Sequence, residues 1–106
     1  MKKLFGAGCC AVLFASAAVM ASEPEAGREK SRVCAACHGP DGNSTTPDFP
    51  KLAGQHYDYL VKALKDYKSG ARKNAIMAPQ TANLSQRDIA DLAAFYSQRQ
   101  GLKVKY

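Results

Sequence analysis

The sequence predicts a small all-α domain of three main helices joined by long loops. Two segments, residues 55–69 and 85–99, repeat apolar residues at the three- and four-residue spacing of one helix face. No segment shows the strict alternation of apolar and polar residues that is typical of a strand. The chain has 106 residues and no Trp, so it is long enough for one domain with a modest core.

The first 21 residues read as a secretory signal peptide. Lys2 and Lys3 form a basic start, residues 4–20 are apolar or small, and Val19-Met20-Ala21 offers acceptable residues before a cleavage site. A membrane anchor is the rival interpretation, but the apolar run is about 17 residues, at the short limit for a span. We therefore expect a signal peptide at residues 1–21 and one exported domain at residues 22–106.

The charge of the exported domain is mildly basic. Thirteen of the 15 Lys and Arg residues and all nine acidic residues follow residue 21, which leaves a formal charge of +4. The basic residues lack the dense clustering expected of a nucleic-acid-binding domain. We therefore expect no nucleic acid as a partner.

The first helix is expected over residues 25–36. Glu23 and Glu25 lie near its start, and Lys30 and Arg32 lie further along, an order that suits the helix dipole. Gly27 lowers the intrinsic stability of a helix. Its presence is understandable if a second helix crosses closely over this position.

Residues 34–38, Cys-Ala-Ala-Cys-His, follow the pattern of a c-type haem attachment site. Cys34 and Cys37 could each form a thioether to the same haem edge, and His38 could bind the iron from one face. A disulfide or redox pair of the two cysteines is an alternative, but no strand–helix–strand pattern accompanies them. A zinc site that adds His56 is a second alternative, although the spacing fits no common zinc module.

The second helix is expected over residues 55–69, after a turn-rich loop that ends near Pro50. Tyr57, Leu60, Val61 and Leu64 share one face, and Gly70 is a suitable helix terminator. We expect Pro50 to pack beside the haem.

Met77 is the candidate for the second axial ligand. It is the only Met outside the predicted signal peptide, and Met is a common sixth ligand of haem iron in electron carriers. Pro79 disfavours helix at the residue before it, so we expect Met77 on an extended loop over residues 71–83. The alternatives are that Met77 only fills the core and that His56 binds the iron instead.

The third helix has the clearest start. Ser85 is a candidate N-cap, and Asp88 lies three residues later, as in a capping box. An apolar stripe that includes Ile89, Leu92 and Tyr96 follows, and the helix is expected to end near Arg99.

With these elements in place, the chain resembles the class I c-type cytochromes. It is most similar to the small bacterial single-haem kind, or to one half of the two-domain dihaem cytochromes of the periplasm. The resemblance spans about residues 26–99. It is carried by Ala26-Gly27, residues 34–44, residues 49–55, Met77-Ala78-Pro79, and residues 84–96.

The resemblance implies a small cytochrome c fold around one covalently bound haem c. Cys34 and Cys37 would hold the haem, and His38 and Met77 would be its axial ligands. The carbonyl of Pro50 would accept a hydrogen bond from His38 and orient the imidazole. Two departures matter: the chain has one attachment motif, and it has no Trp that could contact a haem propionate.

The function expected from the resemblance is that of a periplasmic electron carrier rather than an enzyme. Its partners would be redox proteins such as a membrane reductase or a terminal oxidase, with at most peripheral membrane contact. An acidic patch on the partner would meet a basic group in and after the second helix: Lys62, Lys65, Lys68, Arg72 and Lys73. The alternatives are a cytochrome subunit of a periplasmic oxidoreductase complex, and a haem enzyme or sensor with a labile sixth ligand.

Overall fold

A computed structural model describes residues 22–104 together with residues 6, 8 and 10–12. The described residues contain helices and loops and no strand, which confirms the predicted all-α class. The helices are α1 Pro24–Lys30, α2 Arg32–His38, α3 Tyr57–Ser69, α4 Met77–Thr81 and α5 Gln86–Ser97. The predicted signal peptide lies almost entirely outside the described residues and stays a prediction. No helix in the described part of the chain is long and apolar enough to cross a membrane.

The predicted first helix is present, but Ser31 divides it into α1 and α2. The Ser31 hydroxyl donates a 2.7 Å hydrogen bond to the carbonyl oxygen of Arg28, three residues earlier. Such side-chain bonds to the preceding turn compete with the regular helix ladder. The second piece continues to His38, where Gly39, with a φ of +85°, ends it. The imidazole of His38 is therefore carried by the last turn of a helix.

Helices α1 and α5 cross at Gly27 with almost no space between their backbones. A Cβ atom at Gly27 would lie 2.0 Å from the backbone oxygen of Asp91 and 2.7 Å from the Cβ of Phe95. Only glycine permits this approach, because backbone atoms cannot rotate away. The close crossing expected from the sequence is confirmed.

The carboxylate of Asp91 ties the start of α1 to α5. Its side chain is 1% exposed, and it accepts hydrogen bonds from the backbone N–H of Glu23 at 2.8 Å and from Lys30 Nζ at 2.6 Å. Lys30 also pairs with Asp88 at 3.0 Å. Burial alone would raise the pKa of Asp91, but these hydrogen bonds and the positive charge of Lys30 outweigh it and lower that pKa.

Helix α5 starts where the sequence predicts and carries most of the core. The backbone N–H of Asp88 donates to the Ser85 hydroxyl at 3.0 Å, and the backbone N–H of Ser85 donates to the Asp88 carboxylate at 2.8 Å. This reciprocal pair is a capping box. Downstream of it, the core cluster joins α5 to α3 and consists of Leu60, Leu92, Ala93, Phe95 and Tyr96.

The extended loop predicted for residues 71–83 is wrong in its central part, because Met77 begins the short helix α4. The Asn74 side chain accepts hydrogen bonds from the backbone N–H groups of Ile76 and Met77, both at 2.9 Å. This arrangement satisfies donors at the helix start that would otherwise lack partners. Pro79 falls in the first turn, where its missing N–H costs little. The local capping by Asn74 thus overrides the tendency of Pro79 to exclude helix before it.

Candidate functional site

A cavity of about 380 Å³ opens between α2, α3, α4, α5 and the loop before α3. This volume is within the usual range for sites that bind small molecules or cofactors, about 300–1,000 Å³. All five residues singled out from the sequence line it: Cys34, Cys37, His38, Pro50 and Met77. Much of the remaining wall is apolar, and it includes Leu52, Leu60, Ala63, Leu64, Leu92 and Ala93.

The imidazole of His38 is buried and held in one orientation. Its Nδ1 donates a hydrogen bond to the carbonyl oxygen of Pro50 across 2.8 Å. The ring of Phe49 lies edge-on, with the two ring centroids 6.3 Å apart. Since Nδ1 carries the proton in this bond, Nε2 keeps its lone pair. His38 is therefore in the tautomer that a metal ligand requires, with the carbonyl partner that commonly orients such ligands.

Cys34 and Cys37 occupy neighbouring positions on α2 and are both half-buried free thiols. Residues three apart on a helix face the same side, which agrees with their shared place in the cavity wall. Burial raises the pKa of the Cys34 thiol, while an interaction with Tyr96 lowers it in part. Two thiols on one side of a helix, next to a buried imidazole, are suited to double attachment of a planar group.

Two alternatives, a zinc site that includes His56 and iron ligation by His56, find no support in the geometry. In the described part of the chain, no group of three or more His, Cys, Asp or Glu side chains is placed to hold a metal ion. His56 immediately precedes α3 and is exposed, and it is not among the residues that line the cavity.

Met77 lines the cavity from the first turn of α4. Its backbone is held on both sides: its N–H donates to the Asn74 side chain, and its carbonyl accepts the Thr81 hydroxyl at 3.0 Å. A thioether on a fixed backbone offers a soft sulfur ligand to iron. The cavity thus brings Met77 together with His38, although 38 residues separate them in sequence.

A polar group around Arg72 also lines the cavity and is not evident from the sequence. Arg72 Nη1 lies 3.4 Å from the Tyr59 hydroxyl oxygen, and its guanidinium lies 4.7 Å from the centroid of the Tyr67 ring. The hydrogen bond with Tyr59 raises the pKa of Arg72, which remains cationic. The chain turns back here after Gly70, and the backbone N–H of Arg72 donates to the backbone carbonyl oxygen of Asp66 at 3.0 Å. A glycine after a helix indicates such a reversal, but nothing in the sequence shows which side chains it would bring together.

Comparisons with known proteins agree with one another. The family described as cytochrome c matches residues 25–99. Cytochrome c4 of Thiocapsa roseopersicina is 48% identical over 83 residues, covering 77% of this chain and 43% of that protein. Cytochrome c-554(548) of Halomonas halodenitrificans is 43% identical over 83 residues, covering 76% of this chain and 100% of that protein.

A solved structure extends this agreement to three dimensions. The crystal structure of reduced recombinant cytochrome c4 from Pseudomonas stutzeri superimposes with a TM-score of 0.74 at 45% identity, covering 77% of this chain and 48% of that chain. The chain spans about half the length, or less, of the cytochrome c4 relatives that it matches.

Proposed function

Since the chain belongs to the cytochrome c family, we propose that it is a periplasmic electron carrier that transfers single electrons between redox proteins. Its cofactor is covalently bound haem c. When bound, the haem supplies a one-electron couple between ferric and ferrous iron. The observation that carries the proposal is the convergence of two thiols, an oriented imidazole and a methionine on one cavity.

The residues of the cavity fit this cofactor. The thiols of Cys34 and Cys37 would form its thioethers, and His38 would bind the iron through Nε2. The hydrogen bond to Pro50 holds the proton on Nδ1 and increases the basicity of the imidazole. Met77 would supply the sulfur of the sixth ligand. A sulfur in that position raises the reduction potential relative to a second imidazole.

The cavity wall would exclude water from the haem and provide a positive charge for its carboxylates. The apolar side chains of α3 and α5 surround the site, so an added charge inside it is poorly solvated. This environment favours the ferrous state, which carries one positive charge less. Arg72, which lines the cavity and is hydrogen bonded to Tyr59, would offer a cation to the carboxylates of the haem.

The proposed docking surface lies on α3 and in the turn after it. It comprises Lys62, Lys65, Lys68, Arg72 and Lys73, the basic group identified in the sequence. Lys62 is partly neutralised by Asp66, whose carboxylate lies 2.5 Å from its Nζ. Lys65 and Lys73 are exposed, and no ion pair of theirs occurs within the described residues. They are suited to attract an acidic patch on a membrane reductase or a terminal oxidase.

Carbon monoxide distinguishes the carrier from a haem enzyme or a gas sensor. A carrier with Met77 on the iron leaves no open position, so the ferrous protein should not bind carbon monoxide at neutral pH. The matched control is Met77→Ala, which opens that position and should bind the gas. Rapid binding by the unaltered protein would contradict the carrier and favour a function with a labile sixth ligand. Co-purification of a larger catalytic chain would instead indicate a subunit of an oxidoreductase complex.

A further inference from the structure

The hydroxyl group of Tyr96 is buried beside the cavity and has no hydrogen-bond partner among the described residues. The residue is 3% exposed, and it lines the cavity together with Cys34. A buried hydroxyl without a partner costs free energy, and such groups are rare in folded proteins. A nearby acceptor for the hydrogen of this hydroxyl would therefore stabilise the protein.

The ring of Tyr96 cannot turn away from this position. It packs edge-to-face on Phe95, with the ring centroids 5.0 Å apart. On another side it lies against Gly42, where a Cβ atom would come within 2.7 Å of the Tyr96 Cδ1. The carbonyl oxygen of Tyr96 accepts the backbone N–H of Gly54 at 2.9 Å. The hydroxyl is thus held in place by the packing of the ring against Phe95 and Gly42 and by its own backbone.

The polar side chains beside the hydroxyl are those of Cys34 and Ser31. Burial raises the pKa of Tyr96, Cys34 raises it further, and Ser31 lowers it in part. In return, Tyr96 lowers the pKa of the Cys34 thiol. These mutual effects indicate that the hydroxyl lies close to the Cys34 sulfur, although the two atoms do not form a hydrogen bond in this structure. Ser31 already donates its own proton to the carbonyl of Arg28 at 2.7 Å.

We propose that Tyr96 donates a hydrogen bond to the sulfur of Cys34 in the haem-loaded protein and so acts as a positioning residue for the attached cofactor. The inference rests on the proposed function, since it requires attachment at Cys34. A thioether sulfur has lone pairs and no proton, so it can only accept. Tyr96 provides the donor, and its packing fixes the sulfur and the α2 backbone relative to α5.

The hydrogen bond has an electrostatic consequence. Its positive end points at a sulfur that is bonded to the haem, and positive charge near the haem favours the ferrous state. Tyr96→Phe keeps the ring and removes only the hydroxyl. We expect this variant to favour the ferric state about threefold more than the unaltered protein does. Because a tenfold change in this equilibrium corresponds to about 59 mV for a one-electron couple, the reduction potential should fall by about 28 mV.

The experiment compares haem-loaded Tyr96→Phe with the unaltered protein and with Tyr57→Phe, a tyrosine outside the cavity wall. Spectroelectrochemical titration measures the potential, and urea unfolding of the ferric protein measures the stability. We expect Tyr96→Phe to lower both, and Tyr57→Phe to change neither. Loss of a paired hydroxyl destabilises a protein, whereas loss of an unpaired buried hydroxyl does not. An unchanged potential with an equal or higher unfolding midpoint would overturn the proposal.

Two further measurements test whether the hydroxyl donates to Ser31 instead and whether haem is attached at Cys34. If the potential is unchanged and Ser31→Ala abolishes the stability effect of Tyr96→Phe, the hydroxyl donates to Ser31 and the proposal is wrong. Mass spectrometry of the peptide that contains Cys34 tests the attachment itself. A peptide without the added mass of haem would contradict the proposed function, whatever the Tyr96 variant shows.

Discussion

Replacing Gly27 by Ala tests the helix crossing on which the site is built. The new Cβ would lie 2.0 Å from the Asp91 backbone oxygen and 2.7 Å from the Cβ of Phe95. Neither atom can rotate aside, so α1 and α5 must separate by about 1 Å before the contact becomes tolerable. Overpacking of this kind costs about 3 kcal/mol at the upper end of its range. The helix itself gains about 1 kcal/mol from the change of Gly to Ala.

The expected net effect is a loss of about 2 kcal/mol in the free energy of unfolding. For a domain of this size, the loss lowers the Tm by roughly 8–16 °C. Thermal and urea unfolding of the haem-loaded ferric protein, followed by circular dichroism, measure both quantities. Glu29→Ala is the control on the exposed side of α1 and should change stability by less than about 0.5 kcal/mol. If Gly27→Ala equals or exceeds the unaltered protein in stability, the helices do not cross as closely as described.

Two further predictions concern charge. Because hydrogen bonds and Lys30 lower the pKa of folded Asp91, its stabilisation is present above the unfolded pKa of about 3.9 and is lost as the pH falls through the folded value. Urea unfolding should therefore show that Asp91→Asn lowers the free energy of unfolding by about 1–3 kcal/mol at pH 7. The loss should be smaller near pH 3, and an equal loss at both pH values would contradict this linkage. Reversing charge at Lys65 and Lys73 should slow oxidation by ferricyanide, a small anion, about tenfold at low ionic strength, and much less in high salt. Stopped-flow rates measure this, and Lys103→Glu, outside the docking surface, should have less effect.

Local patterns predicted those elements whose causes are local. The capping box of Ser85 and Asp88 needs only residues three apart, and it places the start of α5 correctly. The glycine at position 27 indicates a close crossing because few other reasons favour glycine inside a helix. The attachment motif likewise combines its thiols and imidazole within five residues.

The remaining features depend on residues that are distant in sequence or on side chains with several possible roles. The sequence predicts an extended loop where α4 forms, because the effect of Pro79 is evident from the sequence, whereas the backbone N–H groups that donate to the Asn74 side chain are seen only in the structure. The contact between Arg72 and Tyr59 depends on how far the chain turns back after α3. A charged residue such as Asp91 is expected on the exposed side of a helix, and only the packing of α1 shows that its carboxylate is buried.

The ferric absorption spectrum of the exported, haem-loaded protein, compared with that of Met77→Ala, tests the central claim most directly. Ligation by His38 and Met77 predicts a charge-transfer band from methionine sulfur to iron in the unaltered protein and its loss in the variant. The variant should keep its covalent haem, because Cys34 and Cys37 are unchanged. A high-spin or bis-histidine spectrum in the unaltered protein, without that band, would contradict the assignment of Met77 and with it the proposed carrier.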